Sequence, residues 1–214
     1  MDIINHCKIY KLSKYYKPYK YTITNTSINS NPTTSVNIKI LSAYHLHITL
    51  NTLLDNDYKD IIQKDIIQNN KDLTTPTVNS SDNHTFTLVI DISSQWYKLC
   101  NNVDNNIITI NDAIILNTDY GLKNYIQNNI LNTEKFLQIV SIKNNNNNNN
   151  NNSGIPLRYR QLKYVIIDNI SYITTSSNNN ISTMTSLIDD LHATYGCIII
   201  TVGFDVDYFH TAFV

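Results

Sequence analysis

The folding options of this chain are narrowed most by three short segments that are almost wholly apolar: Phe86–Ile92, Leu162–Ile167 and Cys197–Val202. A strand with one wet face alternates apolar and polar residues. A run without alternation needs cover on both faces, as in a parallel sheet lined by helices on each side. A fourth run, Val36–Leu41, has the same strand character. Between the runs lie segments with helical spacing. Leu53 to Ile67 places Leu54, Tyr58, Ile61, Ile62 and Ile66 on one face, and Ile181 to Tyr195 does the same with Met184, Leu187, Ile188, Leu191 and Tyr195. Asp119–Leu131 is a weaker third. Strands alternating with helices predict an α/β fold with a mainly parallel sheet flanked by helices.

At 214 residues the chain suits a single domain, 1–214, long enough to bury a sizeable core. The tract Asn144–Asn152, continued by Ser153 and Gly154, cannot pack a core, so a disordered insertion is expected at about 143–154. Thr74 to His84, with Pro76 as a breaker, reads as a further loop. Asn, Ile and Tyr are used so heavily that a single one of them carries little meaning. The three cysteines, Cys7, Cys100 and Cys197, are odd in number, far apart and without zinc spacing, which argues against a disulfide framework and for a reducing compartment. No apolar run approaches the roughly 18 residues of a membrane helix, so no membrane association is expected. The formal net charge of −1 gives no overall basic footprint for nucleic acid, and DNA contact would need a local patch.

Ligands of open α/β sheets bind beyond the carboxyl ends of the strands, where Asp91 in TLVIDISSQW and Asp168 in YVIIDNISYI fall. Such aspartates can hold the water shell of a nucleotide's magnesium, or simply cap the turn that follows. A phosphate cradle decides between these. It needs glycines that let backbone N–H groups wrap the phosphates, with a Lys and a Ser or Thr behind them. The four glycines are Gly121, Gly154, Gly196 and Gly203, and none precedes Lys-Ser or Lys-Thr. Residues 36–55, VNIKILSAYHLHITLNTLLD, stand where the cradle would be and contain no glycine. A backbone carrying Cβ atoms throughout does not readily form the anion nest. Asp168 is accordingly expected to cap a turn, with no cofactor bound and no metal.

The segments LKYVIIDNISYI and LIDDLHATYGCIIITVGF resemble the Walker B strand, helix and following strand of RecA-type recombinases. With the amino-terminal MDIINHCKIYKLSKYY and the strand TLVIDISSQWY, their order resembles more closely the platinum-sensitivity protein 3 family, recombinase paralogues of the fungal Shu complex. The resemblance implies a RecA-like domain with a degenerate P-loop NTPase core. It also implies a non-catalytic subunit that heterodimerises with a second Shu-complex recombinase paralogue. Two further Shu subunits, DNA (single-stranded, forked or double-stranded), assembly of a RecA-type recombinase filament in repair, and nuclear localisation are implied with it. Ser93 stands where active recombinases carry a catalytic glutamate and cannot act as a base. The family's basic DNA-binding loop would follow the last strand and helix, whereas the sequence stops at Val214, which leaves truncation open. A residual ATPase with a composite site using Asp168 is the alternative.

Several side chains remain. Lys8, Lys11, Lys14, Lys17 and Lys20 interleave with Tyr10, Tyr15, Tyr16, Tyr19 and Tyr21, the one local pattern that could contact phosphates and stack on bases. Lys14, Lys17 and Lys20 are the candidates for DNA contact. The competing reading is a solvated edge strand guarded by lysines. Trp96, the single tryptophan, either fills the core or anchors a partner. Phe204, with Tyr208, Phe209 and Phe213, is a candidate partner contact, because so much apolar surface needs cover. His45 and His47 share a strand face and are read as structural, and His192 beside Asp189 as a surface pair.

Overall fold

The computed structural model describes residues 20–23, 36–50, 57–63, 85–96, 107–111, 116–147, 161–173 and 180–204. Within them the apolar runs lie side by side in one sheet. Its strands are β1 (Val36–Ser42), β2 (His45–Leu50), β3 (Thr85–Asp91), β4 (Ile107–Ile110), β5 (Gln161–Asp168) and β6 (Ile198–Phe204), in the order β1-β2-β6-β5-β3-β4. All neighbours are parallel except β1 and β2, which form an antiparallel hairpin at one edge. The helices are α1 (Asp57–Asp60), α2 (Asp119–Tyr125), α3 (Thr133–Asn147) and α4 (Asn180–Tyr195). A π-helical stretch, Ile126–Ile130, extends α2, and a 3-10 turn, Ile170–Tyr172, follows β5.

Alternate residues of each central strand feed two separate cores. From β5, Val165 and Ile167 enter one, together with Leu122, Phe136, Val140, Leu187 and Leu191 from α2, α3 and α4. Tyr164 and Ile166 enter the other, where Tyr58 and Ile62 meet Trp96 and Tyr21. Both faces are therefore dry, which is why these strands are apolar at nearly every position. Each buried Val or Ile contributes about 1.5–3 kcal/mol against exposure.

Local chemistry sets the helix ends. Thr118 caps α2, its hydroxyl accepting from the Gly121 backbone N–H at 3.0 Å. Gly196, at φ 66°, ends α4, its N–H bonded to the His192 carbonyl at 2.7 Å. The helix expected over 53–67 is helical at 57–63, with Tyr58 and Ile62 buried and Leu54 and Ile66 outside the described residues. β4 was not anticipated. The expected insertion at 143–154 overlaps α3, which runs to Asn147; the rest of that tract, like the loop 74–84 and Cys7 and Cys100, lies outside the described residues. Among the described residues no helix is long and apolar enough to cross a membrane.

Candidate functional site

The register of β3 against β5 makes Asp91 and Asp168 direct neighbours at the carboxyl ends of two central parallel strands. Neither is exposed. Asp91 organises the turn after β3. Its Oδ1 accepts from the Gln95 backbone N–H at 3.0 Å and the Ser93 hydroxyl at 3.2 Å, and its Oδ2 accepts from the Trp96 backbone N–H at 2.8 Å. These bonds hold Ser94 in the left-handed region, φ 56°, which a non-glycine residue adopts only when its surroundings impose it.

That turn carries the Trp96 indole inward, where Nε1 donates to Asp168 Oδ2 at 2.5 Å. Tyr58, in the helical turn α1, donates its hydroxyl to the same oxygen at 2.5 Å. The Asp168 carbonyl also accepts from the Ile92 N–H, so the two strand ends are tied through backbone as well. Asp168 Oδ1 is buried and has no hydrogen-bond partner among the described residues. Beside this group the buried Lys59 donates to Gln95 Oε1 at 2.8 Å.

Burial dominates the electrostatics. It pushes the Asp168 carboxyl up to about 6, against the lowering effect of the Tyr58 and Trp96 donors; Asp91 raises it further and Lys59 lowers it. The Tyr58 hydroxyl is pushed far above its ordinary range by burial first, then by Asp168. A carboxylate that holds a cation's water shell must meet solvent or ligand in its ionised form. Here two aromatic side chains of the same chain close over it.

One expectation is corrected by this geometry. Asp168 does not cap the following turn; Asn169 does, its Oδ1 accepting from the Ser171 N–H at 2.8 Å. The turn-capping carboxylate is Asp91. Trp96, one of whose two readings is core filling, is wholly buried in the core that also holds Tyr58, Ile62 and Ile166. Phe204 is half-buried at the end of β6, with Tyr172 edge-on to it at 5.8 Å. Lys20 is exposed, and Lys14 and Lys17 lie outside the described residues, as do Tyr208, Phe209 and Phe213.

On the opposite sheet face His45 Nε2 and His47 Nδ1 share the Thr201 hydroxyl, each at 2.9 Å. Burial, then His47, lowers the His45 imidazole to about 3, so it is neutral at physiological pH. Among the described residues no group of three His, Cys, Asp or Glu could hold a metal ion. Gly203 continues this strand without a side chain, where a Cβ would meet Ile170 and Ser171 at 3.1 Å. His192 and Asp189 are each engaged by Tyr44, whose ring stacks on the imidazole at 4.0 Å and whose hydroxyl donates to Asp189 at 2.7 Å. Cys197 is buried, and burial pushes its thiol up to about 12, the behaviour of a small hydrophobe.

Tyr58 is the functional-site residue that sequence reasoning missed. It is 110 positions from Asp168, and nothing in its helical spacing separates it from an ordinary core residue. Against known proteins, the family model described as Shu complex component Psy3, DNA-binding description, matches residues 7–211, nearly the whole chain. No curated protein matches.

Proposed function

The chain belongs to the Shu complex component Psy3 family, and from that premise we propose that it is a non-catalytic, RecA-like subunit of a Shu complex acting on DNA. In this proposal it heterodimerises with a second recombinase paralogue and joins two further Shu subunits in the nucleus. It binds single-stranded, forked or double-stranded DNA and promotes assembly of a RecA-type recombinase filament in homologous recombination and repair. The parallel sheet, with aspartates at the ends of β3 and β5, supports a shared layout with those recombinases.

The non-catalytic part rests on one observation. Asp168, where an ATPase would hold its magnesium water shell, is enclosed by Tyr58 and Trp96 and raised to about 6. Its role is then to tie α1 and the turn after β3 to β5, which makes the domain a rigid platform. Calorimetric titration of the purified heterodimer with Mg-ATP should give no binding heat, while the same preparation should retard forked DNA. Mg-ATP binding abolished by Asp168→Asn would instead establish a composite ATPase site. A full-length pair that binds neither ligand would leave a protein scaffold.

A further inference from the structure

The protein is nearly neutral overall, yet its charge is segregated along the chain. Of its 16 Lys and Arg residues, six lie in residues 3–54 and five in residues 135–167, and neither stretch contains an Asp or Glu. The fold brings these two acid-free stretches together at one place. Tyr21, from the first, donates its hydroxyl to Gln161 Oε1 of the second at 2.9 Å. The Tyr21 N–H bonds the Gly196 carbonyl and the Ile23 N–H bonds the Ala43 carbonyl, so residues 20–23 run across the amino-terminal ends of β5, β6 and β2.

At this end β5 is irregular. Phe86 and Thr87 of β3 pair with Leu162 and Tyr164, so Lys163 is the extra residue of a β-bulge. Bulges re-aim a side chain that regular pleating would send elsewhere. This one directs the half-buried Lys163 over two ring faces, with Nζ 5.7 Å from the Tyr21 centroid and 5.2 Å from that of Tyr164. Ring contact orients an ammonium group without cancelling its charge. The exposed Lys20 precedes Tyr21 directly. Asp91 and Asp168 are at the far ends of their strands, a full strand length away.

The geometry points to a backbone-phosphate contact site at the amino-terminal end of the sheet, formed by Lys163 and Lys20 around Tyr21 and taking nucleic acid without base specificity. It rests on the DNA-binding part of the proposed function and adds the location. Ammonium groups neutralise phosphates and release counterions, so affinity through such a site depends steeply on salt.

The test uses the full-length chain with its partner paralogue and a fluorescein-labelled forked DNA, with anisotropy read across a series of NaCl concentrations. Lys163→Gln and Lys20→Gln should each reduce the slope of log K against log salt by about 0.7–0.9, and the double variant by about twice that. Lys163→Arg should keep the wild-type slope. Lys20 is exposed, so its replacement reports on binding even if Lys163→Gln disturbs the bulge; unchanged thermal midpoints establish folding. A wild-type pair that binds DNA, with Lys20→Gln and the folded double variant retaining its slope, overturns the site alone. A wild-type pair that does not bind DNA overturns the DNA-binding reading and the site with it.

Discussion

Replacing Asp168 by asparagine separates a buried structural acid from an inherited metal ligand. The folded carboxyl titrates at about 6 against an ordinary 3.8. At about 1.4 kcal/mol per pH unit, its ionisation inside the fold costs roughly 3 kcal/mol relative to the neutral acid. Because the folded value lies above the unfolded one, the folded state holds the extra proton between them. The contribution of this group to stability is complete below about pH 3.8 and is lost as pH rises through about 6. Between pH 5 and pH 8 the loss is roughly 1.4 kcal/mol. Asparagine cannot ionise. Its carbonyl can accept from Tyr58 and Trp96, and its amide nitrogen replaces an oxygen that has no partner among the described residues. Burying that amide costs about 1–3 kcal/mol at every pH. The stability of Asp168→Asn relative to the parent should therefore shift by about 1.4 kcal/mol in favour of asparagine from pH 5 to pH 8. Urea unfolding followed by tryptophan fluorescence measures it directly, because the single tryptophan, Trp96, sits against the mutated carboxylate. An equal gap at both pH values, or one that moves against asparagine at pH 8, would refute the assignment of a buried, raised carboxyl.

Trp96→Phe removes one of the two Asp168 donors and part of a fully buried ring, and should cost about 2–3 kcal/mol by chemical denaturation followed by circular dichroism. Gly203→Ala places a methyl group 3.1 Å from Ile170 and Ser171; a loss of about 1–3 kcal/mol, read as a lowered thermal midpoint, is expected. His45, lowered to about 3, should show no imidazole titration by NMR above pH 4. Its stabilising contribution is complete above the ordinary 6.5 and declines as pH falls toward 3, opposite in sign to that of Asp168.

The parallel core was legible because burial on both faces removes polar residues from a strand, and β3, β5 and β6 could be read on that basis. β4 escaped because four residues, IITI, are too few to show any period. The hairpin edge was legible as strand but not as antiparallel, since direction depends on connections and not on side chains. At the site, Asp91 and Asp168 stood out as carboxylates ending apolar runs. Which of them caps a turn was not legible, because an aspartate's own sequence neighbours are equally compatible with either role. The Asp168 partners come from elements 72 and 110 positions away, and only the assembled fold brings them within reach. Lys163 was invisible for a related reason: a bulge is a property of two strands in register, and one strand's sequence does not declare it.

Among the described residues, the buried Asp91 and Asp168 lie at one end of this sheet, and Lys20 and Lys163 at the other. At the carboxyl ends, Asp91 spends its lone pairs on the turn that delivers Trp96, and Trp96 with Tyr58 spends its donor on Asp168. The carboxylates are thereby internal bonds, and a nucleotide there would need both aromatic rings to leave and a glycine nest to appear. At the amino-terminal ends the acid-free stretches meet, and a bulge sets a lysine over two rings. Among the described residues, no group at that end bonds to Asp168. Asp168→Asn should consequently leave the salt dependence of DNA binding at its wild-type slope even where it changes stability, whereas Lys20→Gln should change the slope and leave stability alone. Loss of the slope in Asp168→Asn, in protein shown to be folded, would place the DNA at the carboxyl ends and refute the division.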